Sequence, residues 1–267
     1  MKYFVFGSTG MLGKYFCALS SDVVPIVRKD YDILDNNISK IVSVLGTKGI
    51  QAGDVIVNCA GAVSQRDFSL NKYVHINSLF PHQLEIVADA LSCKYVHVTT
   101  DCVFNGREGC YTEDHAHDCE DWYGKSKSLG EPQSSCCIRT SIVGLGSAGN
   151  VSLLDWFSNC EDNKVKGFVN HFWNGVTCLE LCGIIKSIVK SNLFWKGCRH
   201  VFSDPVSKYE LLTMYNNTFK IGKYIKPIYA DERCDRTLGS KFHTAIPKTI
   251  QQQLIELKGF HNDRSYK

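Results

Sequence analysis

An α/β fold, a doubly wound parallel sheet with a smaller C-terminal α/β region, is predicted by three observations. An apolar N-terminal run, KYFVF (Lys2–Phe6), breaks straight into Gly7, Gly10 and Gly13. Short apolar runs then alternate with helical stretches as far as about Gly146. The third observation is a pairing: VTTDCVF (Val98–Phe104) carries an apolar strand into two hydroxyls and a carboxylate, and WYGKSK (Trp122–Lys127) follows it. Alternation of this kind calls for parallel strands covered by crossover helices.

Taken in order, Lys2–Phe6 is rich in aromatic and β-branched residues, as a buried parallel strand is. The chain then reads as helical from Met11 to about Ser20. Between them the spacing is GxxGxxG rather than GxGxxG. Glycines there allow a tight turn whose backbone amides can approach a pyrophosphate, and the new helix N-terminus adds a favourable partial charge. The place of the motif, between a strand and a helix, gives it its weight. Val23–Val27 is the second strand, Ile38–Leu45 a helix and Asp54–Cys59 the third strand. Leu79–Leu91 reads as a helix, Tyr95–Thr99 as the fourth strand, Tyr123–Leu129 as the start of a helix and Cys136–Ile142 as a further strand. Beyond Gly146 the pattern loosens. Val151–Asn159, Leu179–Ser191, Ser207–Phe219 and Thr249–Leu257 look helical, and Arg199–Ser203 is a candidate to return to the sheet.

Length and composition exclude several function classes. A chain of 267 residues suits one α/β domain with a smaller appendage. Hydrophobic and charged fractions of 44% and 21% are those of an ordinary soluble globule. A net charge of +3, with no run of Lys or Arg, is too small to argue for a nucleic-acid partner. No apolar stretch approaches the ~20 residues of a membrane span, so no membrane partner is expected. The N-terminal run is only a strand long and ends in glycines, so it is not expected to be a signal peptide. The 13 cysteines are odd in number, scattered and mostly within apolar runs, which favours a reduced, cytoplasmic protein. Cys110, His115, His117 and Cys119 fall within one short loop and are zinc-ligand types, yet no CxxC accompanies them and no metal is expected.

The chemistry is carried by the pairing. Tyr123 and Lys127 stand at i, i+4, so both project from one helix face. A phenol titrates near ~10, and an ammonium beside it favours the phenolate. With a threonine hydroxyl in reach, this is a proton-delivery device, and the glycine loop supplies its redox half. Tyr123 is the expected general acid, Lys127 lowers its pKa, and Thr100 is preferred to Thr99 as the hydroxyl. Asp101 either binds substrate or caps the following turn, and Asn77 either orients Lys127 through a water or caps the Leu79–Leu91 helix. At the end of the second strand stand Arg28 and Lys29, with Asp30 and Asp32 just beyond. An acid there takes the ribose 2′-hydroxyl of NAD and an Arg accommodates the 2′-phosphate, so NADPH is favoured, with NADH possible.

On these residues the chain resembles the extended short-chain dehydrogenase/reductase family, and within it the dTDP-4-dehydrorhamnose reductase-like nucleotide-sugar reductases. The resemblance spans essentially the whole chain. It is carried by GSTGMLG, VIVNCAG (Val55–Gly61), HIN (His75–Asn77), TTDCVFNG (Thr99–Gly106), YTED (Tyr111–Asp114), YGKSKSLGE (Tyr123–Glu131) and RTSIVG (Arg139–Gly144). WNGVTCLEL (Trp173–Leu181), SKYELL (Ser207–Leu212) and DRTL (Asp235–Leu238) follow in order. The resemblance implies a Rossmann domain over residues 1–145 and a substrate-binding region over 146–267, with about 178–203 returning to the first. It implies cofactor contacts from Gly7, Thr9, Gly10, Met11, Leu12, Gly13, Arg28, Asp32, Ile33, Cys59, Ala60, Gly61, Thr99, Tyr123 and Lys127. Substrate contacts are implied for Thr100, Asp101, Cys102, Ile142 and Asn174, with Arg236 on the diphosphate. The implied activity is NADPH-dependent reduction of the C4 ketone of a nucleotide-linked 4-keto-6-deoxy sugar, feeding glycan synthesis. The sugar is dTDP-4-dehydro-L-rhamnose or a UDP-2-acetamido-2,6-dideoxy-4-hexulose. Cys102 stands where the typical rhamnose enzymes carry tyrosine, and Ile142 where they carry tryptophan, which tilts the choice to the UDP sugar. The alternatives are epimerase or dehydratase chemistry of the same family, or a non-catalytic nucleotide-binding regulatory subunit such as the methionine adenosyltransferase β subunit. Dehydratases carry T-D-E where this chain has TDC, and the intact Tyr123/Lys127 pair disfavours a regulatory role. Relatives are often homodimers.

Overall fold

Every residue of the first strand, β1 (Tyr3–Phe6), is buried, as its unbroken apolar run requires. The computed structural model describes residues 1–64, 68–146, 152–242 and 248–263. In it β1 is followed by α1 (Met11–Ala18), β2 (Val23–Ile26), α2 (Ile38–Thr47) and β3 (Val55–Asn58). Next come α3 (Leu70–Tyr73), a π-helical turn (Val74–Leu79), α4 (Phe80–Ala90), β4 (Lys94–Thr100), α5 (Trp122–Leu129) and β5 (Cys136–Thr140). The C-terminal part contains β6 (Ile142–Val143), α6 (Leu153–Asn159), β7 (Lys164–Phe168), β8 (His171–Trp173), β9 (Val176–Thr177) and α7 (Cys178–Lys190). It continues with β10 (Gly197–His200), β11 (Val206–Ser207), α8 (Lys208–Phe219), β12 (Tyr224–Ile228), β13 (Cys234–Asp235) and α9 (Ile250–Asn262).

The main sheet runs β2-β1-β3-β4-β5-β10, all parallel. Its register aligns Phe6 with Ile26 and Asn58, and Thr100 with Thr140. The glycine loop, Cys59–Gly61 and Asp101–Val103 therefore leave the same edge. The chain reverses its winding between β1 and β3, and that switch point is where such sheets bind ligands.

Alternation along the strands sorts side chains between two layers. Tyr3, Val5, Val55, Val57, Val96 and Ile138 pack with Leu12 and Phe16 of α1 and Leu181 and Ile185 of α7. Phe4, Phe6, Ile56 and Tyr95 face the other way, onto Ile41 and Leu45 of α2 and Leu84 and Val87 of α4. Fully enclosed side chains such as Phe16 contribute about 1.5–3 kcal/mol each. The first cluster continues through α6, α8 and α9 via Phe157, Leu211 and Leu254, so the C-terminal elements share one core with the sheet.

Three expectations are corrected here. The helix expected at Leu79–Leu91 starts at Leu70 and passes through the π-helical turn, which places Asn77 inside the helix rather than at its cap. The returning strand is Gly197–His200 rather than Arg199–Ser203, because Cys198 pairs with Cys137 and His200 with Arg139. Sequence periodicity also shows none of the small sheets, β11-β8-β13, β12-β7 and β6-β9. Their strands are two to five residues long, too short for a pattern to emerge. Val151, expected at the start of α6, lies outside the described residues. Among the described residues, no helix is long and apolar enough to cross a membrane.

Candidate active site

The loops after β1, β3 and β4 meet at the switch point, and glycines set how closely they do so. Gly7 has φ +74°, and a Cβ there would stand 2.6 Å from the Ala60 nitrogen. At Gly13 a Cβ would stand 2.3 Å from the Gly7 carbonyl oxygen, so α1 could not lie as close to the turn. Gly10 donates its N–H to the Gly7 carbonyl at 2.9 Å and begins α1 with no side-chain cap. The first amides of α1, from Met11 and Leu12, are thus disposed toward an anion. Thr9 is exposed beside them, whereas the Leu12 side chain is buried in the core and leaves only its backbone to the site. Cys59 and Ala60 continue from β3, tied down by Cys59 N–H to the Phe6 carbonyl and Ala60 N–H to Asn58 Oδ1. Gly61 is exposed at the same turn.

Helix α5 is pressed onto the end of β4. Asp121 caps it through the Gly124 N–H at 2.8 Å. A Cβ on Gly124 would lie 2.3 Å from the Cys102 carbonyl oxygen, and one on Gly130 would lie 1.8 Å from the Asn77 carbonyl oxygen. The small residues bring the Tyr123 phenol beside Thr100. Asn77 spends its amide on both polar groups of Ala62 and on Ser126 Oγ. It therefore clamps the loop after β3 to α5 and caps nothing.

At the end of β4 the roles divide cleanly. Thr100 caps the 3-10 turn Asp101–Val103 by accepting from the Cys102 N–H, and its hydroxyl donates to Asp101 Oδ1 at 3.1 Å. Asp101 is free of that capping duty and lies among Ser141, Arg236 and Lys208. Thr99 Oγ1 is buried with no protein partner among the described residues.

Burial dominates the electrostatics of the pair. Burial, more than any neighbour, pushes the Tyr123 phenol well above its ordinary range, and Cys102, Asp101 and Asp121 add to this against the Thr100 bond. Lys127 is not among the strongest influences on the phenol. Its ammonium donates to the Val98 carbonyl at 3.0 Å, and burial holds its own pKa at about 8. Burial likewise raises Asp101 against the pull of Arg236 and Lys208, and lifts the Cys102 thiol to about 12. The phenol is thus a fully protonated donor at neutral pH.

Other site residues fall in two further places. Arg28 and Asp32 pair at 2.9 Å beyond β2, where Asp32 also accepts from the Leu34 N–H and Ile33 opens a 3-10 turn. Asp30 is engaged with Lys48 at 3.1 Å. Both acids near the strand end are therefore already committed to cations. On the opposite side, Arg236 donates to the Phe104 carbonyl at 2.9 Å. Asn174, expected to touch substrate, uses both ends of its amide on the N–H and carbonyl of Leu238, at 2.8 Å each. It thereby ties the turn after β8 to the Arg236 segment. Ile142 is half-buried in β6 and packs against the first core cluster. Sequence reasoning missed Lys208, whose ammonium lies 5.3 Å over the Trp173 ring and close to Asp101 and Arg236. A lysine directly after a helix-capping serine reads as solvated, and nothing in the sequence marks it otherwise. Among the described residues, no group of three or more His, Cys, Asp or Glu could hold a metal.

Comparison with known proteins places this geometry among relatives. Residues 1–149 match the family model for the RmlD substrate binding domain. The spore coat polysaccharide biosynthesis protein SpsK of Bacillus subtilis is 33% identical over 155 residues, 53% of this chain and 53% of that protein. The chain's match thus spans about half the length of that curated relative. A dTDP-4-dehydrorhamnose reductase from Clostridium acetobutylicum superposes with a TM-score of 0.78 at 19% identity, covering 98% of this chain and 99% of that one. The dTDP-4-dehydrorhamnose reductase of Bacillus anthracis, solved with NADP, gives 0.80 at 18% identity over 97% and 99%.

Proposed function

The chain belongs to the family of the RmlD substrate binding domain, and from that premise we propose that it reduces the C4 ketone of a nucleotide-linked 4-keto-6-deoxy sugar with NADPH. The observation that carries the reading is the meeting of Thr100, Tyr123 and Lys127 with the uncapped start of α1 at one edge of the sheet. The residues fit a nicotinamide dinucleotide. The α1 amides suit its pyrophosphate, the orphaned Thr99 hydroxyl and Lys127 suit the ribose beside the nicotinamide, and Arg28 suits a 2′-phosphate. When bound, the cofactor supplies a hydride to C4.

This chain's own residues do the rest. Tyr123 gives its proton to the carbonyl oxygen as the C=O bond becomes CH–OH, and takes a replacement from water. Thr100, fixed by Asp101 and the Cys102 N–H, holds the ketone oxygen against the phenol. Burial around Tyr123 and Lys127 excludes competing water. Arg236 and Lys208 flank the substrate's diphosphate and sugar, beside Asp101. Dehydration needs a second carboxylate next to Asp101, and Cys102, neutral with its thiol at about 12, stands there instead. Residues 1–145 serve the cofactor and residues 146–267 the substrate, with α7 and β10 returning to the sheet.

Two sugars are proposed, dTDP-4-dehydro-L-rhamnose and a UDP-2-acetamido-2,6-dideoxy-4-hexulose, the second favoured by Cys102. The test is loss of nicotinamide absorbance when purified protein and NADPH meet each sugar. Turnover of one sugar is expected. No turnover of either removes the proposal.

A further inference from the structure

Behind the candidate site, Arg139 of β5 is 2% exposed and donates four hydrogen bonds to three partners. It makes a two-pronged pair with Glu131, just past α5, at 3.0 and 2.5 Å. Its other N–H groups reach His200 Nε2 of β10 and His117 Nε2 of the loop after β4, both at 2.7 Å. The guanidinium lies 5.2 Å over the Phe104 ring, which stacks on Tyr111 at 4.3 Å. None of this touches the reacting atoms.

An arginine only donates, so each histidine must offer a bare Nε2 and carry its proton on Nδ1. Both Nδ1 positions have suitable acceptors: Ser128 Oγ on α5 at 2.6 Å for His117, and the Gly239 carbonyl at 2.7 Å for His200. The Glu113 carboxylate ties the same segment down, accepting from the His200 N–H, Ser240 Oγ and the Lys241 N–H. One guanidinium therefore joins the helix bearing Tyr123 and Lys127 to the segment bearing Arg236.

We propose that Arg139, with neutral His117 and His200 as its acceptors, is a positioning centre that locks the proton-donating helix to the Arg236 segment, and that acid unlocks it. The functional consequence rests on the reductase reading above; the lock itself does not. A proton added at either Nε2 sets N–H against the guanidinium N–H, in a dry site at His200 and a partly open one at His117. The charged groups facing His117 are Arg139, Glu131 at 3.7 Å and Asp118. Among the described residues, those facing His200 are Arg139, Glu113 and Glu131. Burial outweighs the carboxylates, and both imidazoles are held below the usual histidine range. A lowered folded pKa means that the unfolded or opened segment takes up protons the closed one refuses. Closure is therefore fully stable above about 6.5 and weakens as pH falls below it. The His117 and Cys119 loop, which reads as a zinc candidate in the sequence, serves this lock instead.

The test is amide hydrogen exchange over residues 235–241 in the full-length protein at about pH 7 and about pH 5, corrected for intrinsic rates. Wild type is expected to lose protection about tenfold at the lower pH. His117→Gln/His200→Gln, which keeps an acceptor without a titration, is expected to show no such loss. Ser128→Ala, which removes only the Nδ1 partner of His117, keeps the test available if the double variant does not fold, and is expected to lower protection already at about pH 7 and to leave a smaller further loss at about pH 5. Equal pH responses in wild type and variants overturn the lock. Calorimetry with dTDP and UDP supplies the second arm. Weaker binding at low pH in wild type alone, with NADPH affinity unchanged, supports the lock, and loss of NADPH affinity in parallel contradicts it. If neither nucleotide binds at any pH, the reductase reading fails while the exchange result still decides the lock.

Discussion

Tyr123 sits half-buried against Thr100, Asp101 and Cys102, and that setting keeps its phenol protonated. A reductase needs its acid in that state, so Tyr123→Phe should lower kcat by about 10²–10⁴-fold with NADPH affinity retained, read by steady-state rates and fluorescence titration. Lys127 carries an opposite cost. A buried ammonium held at about 8 is a charge the fold would rather not enclose. Lys127→Met should therefore abolish turnover yet raise the melting temperature, by about 2–4 °C for each kcal/mol regained. The sign also follows with pH. Between about 8 and 10.5 the unfolded chain still holds the proton that the folded one has lost, so the stability of wild type relative to the variant rises across that window. At this scale the candidate pair was legible as a pair because i, i+4 spacing alone puts two side chains on one face. Lys208 was not, because its setting beside Trp173 and Asp101 is made by distant elements. The occupation of the Asn174 amide by Leu238 was hidden for the same reason, since only the fold brings the two together.

Among the elements, α1 and the strand ends carry the cofactor's part of the proposed function. Gly13→Ala would push a Cβ to 2.3 Å from the Gly7 carbonyl, a backbone atom that cannot step aside. It should cost about 1–3 kcal/mol of stability and weaken NADPH binding, measured by denaturant unfolding and titration. Arg28 is exposed and held by Asp32, so Arg28→Ala should leave stability unchanged. It should shift the NADPH-to-NADH preference by roughly tenfold toward NADH, the value of one lost phosphate contact, read as a ratio of kcat/KM. The long, apolar strands and the main helices were readable in the sequence because burial on both faces leaves continuous runs. The π-helical turn at Val74–Leu79 was hidden, because one extra residue in a helix leaves periodicity nearly untouched while it redirects Asn77.

For the whole molecule, the fold follows from where the chain reverses winding. β1 stands between β2 and β3, the loops from β1, β3 and β4 gather at one edge, and C-terminal elements share the first core cluster with the sheet. That arrangement was legible as alternation up to about Gly146. Beyond it the small sheets are assembled by pairings such as Trp173 with Val206 and Phe172 with Asp235, which no local pattern encodes. The two halves together make one claim, that hydride arrives at the sugar C4 while Tyr123 supplies the proton. The most direct measurement follows deuterium from the nicotinamide C4 of labelled NADPH into the product of the turned-over 4-keto sugar by NMR. The account predicts one deuterium at the sugar C4 in wild type and none in Tyr123→Phe over the same period. Label at another carbon, or a product that carries none, would contradict it.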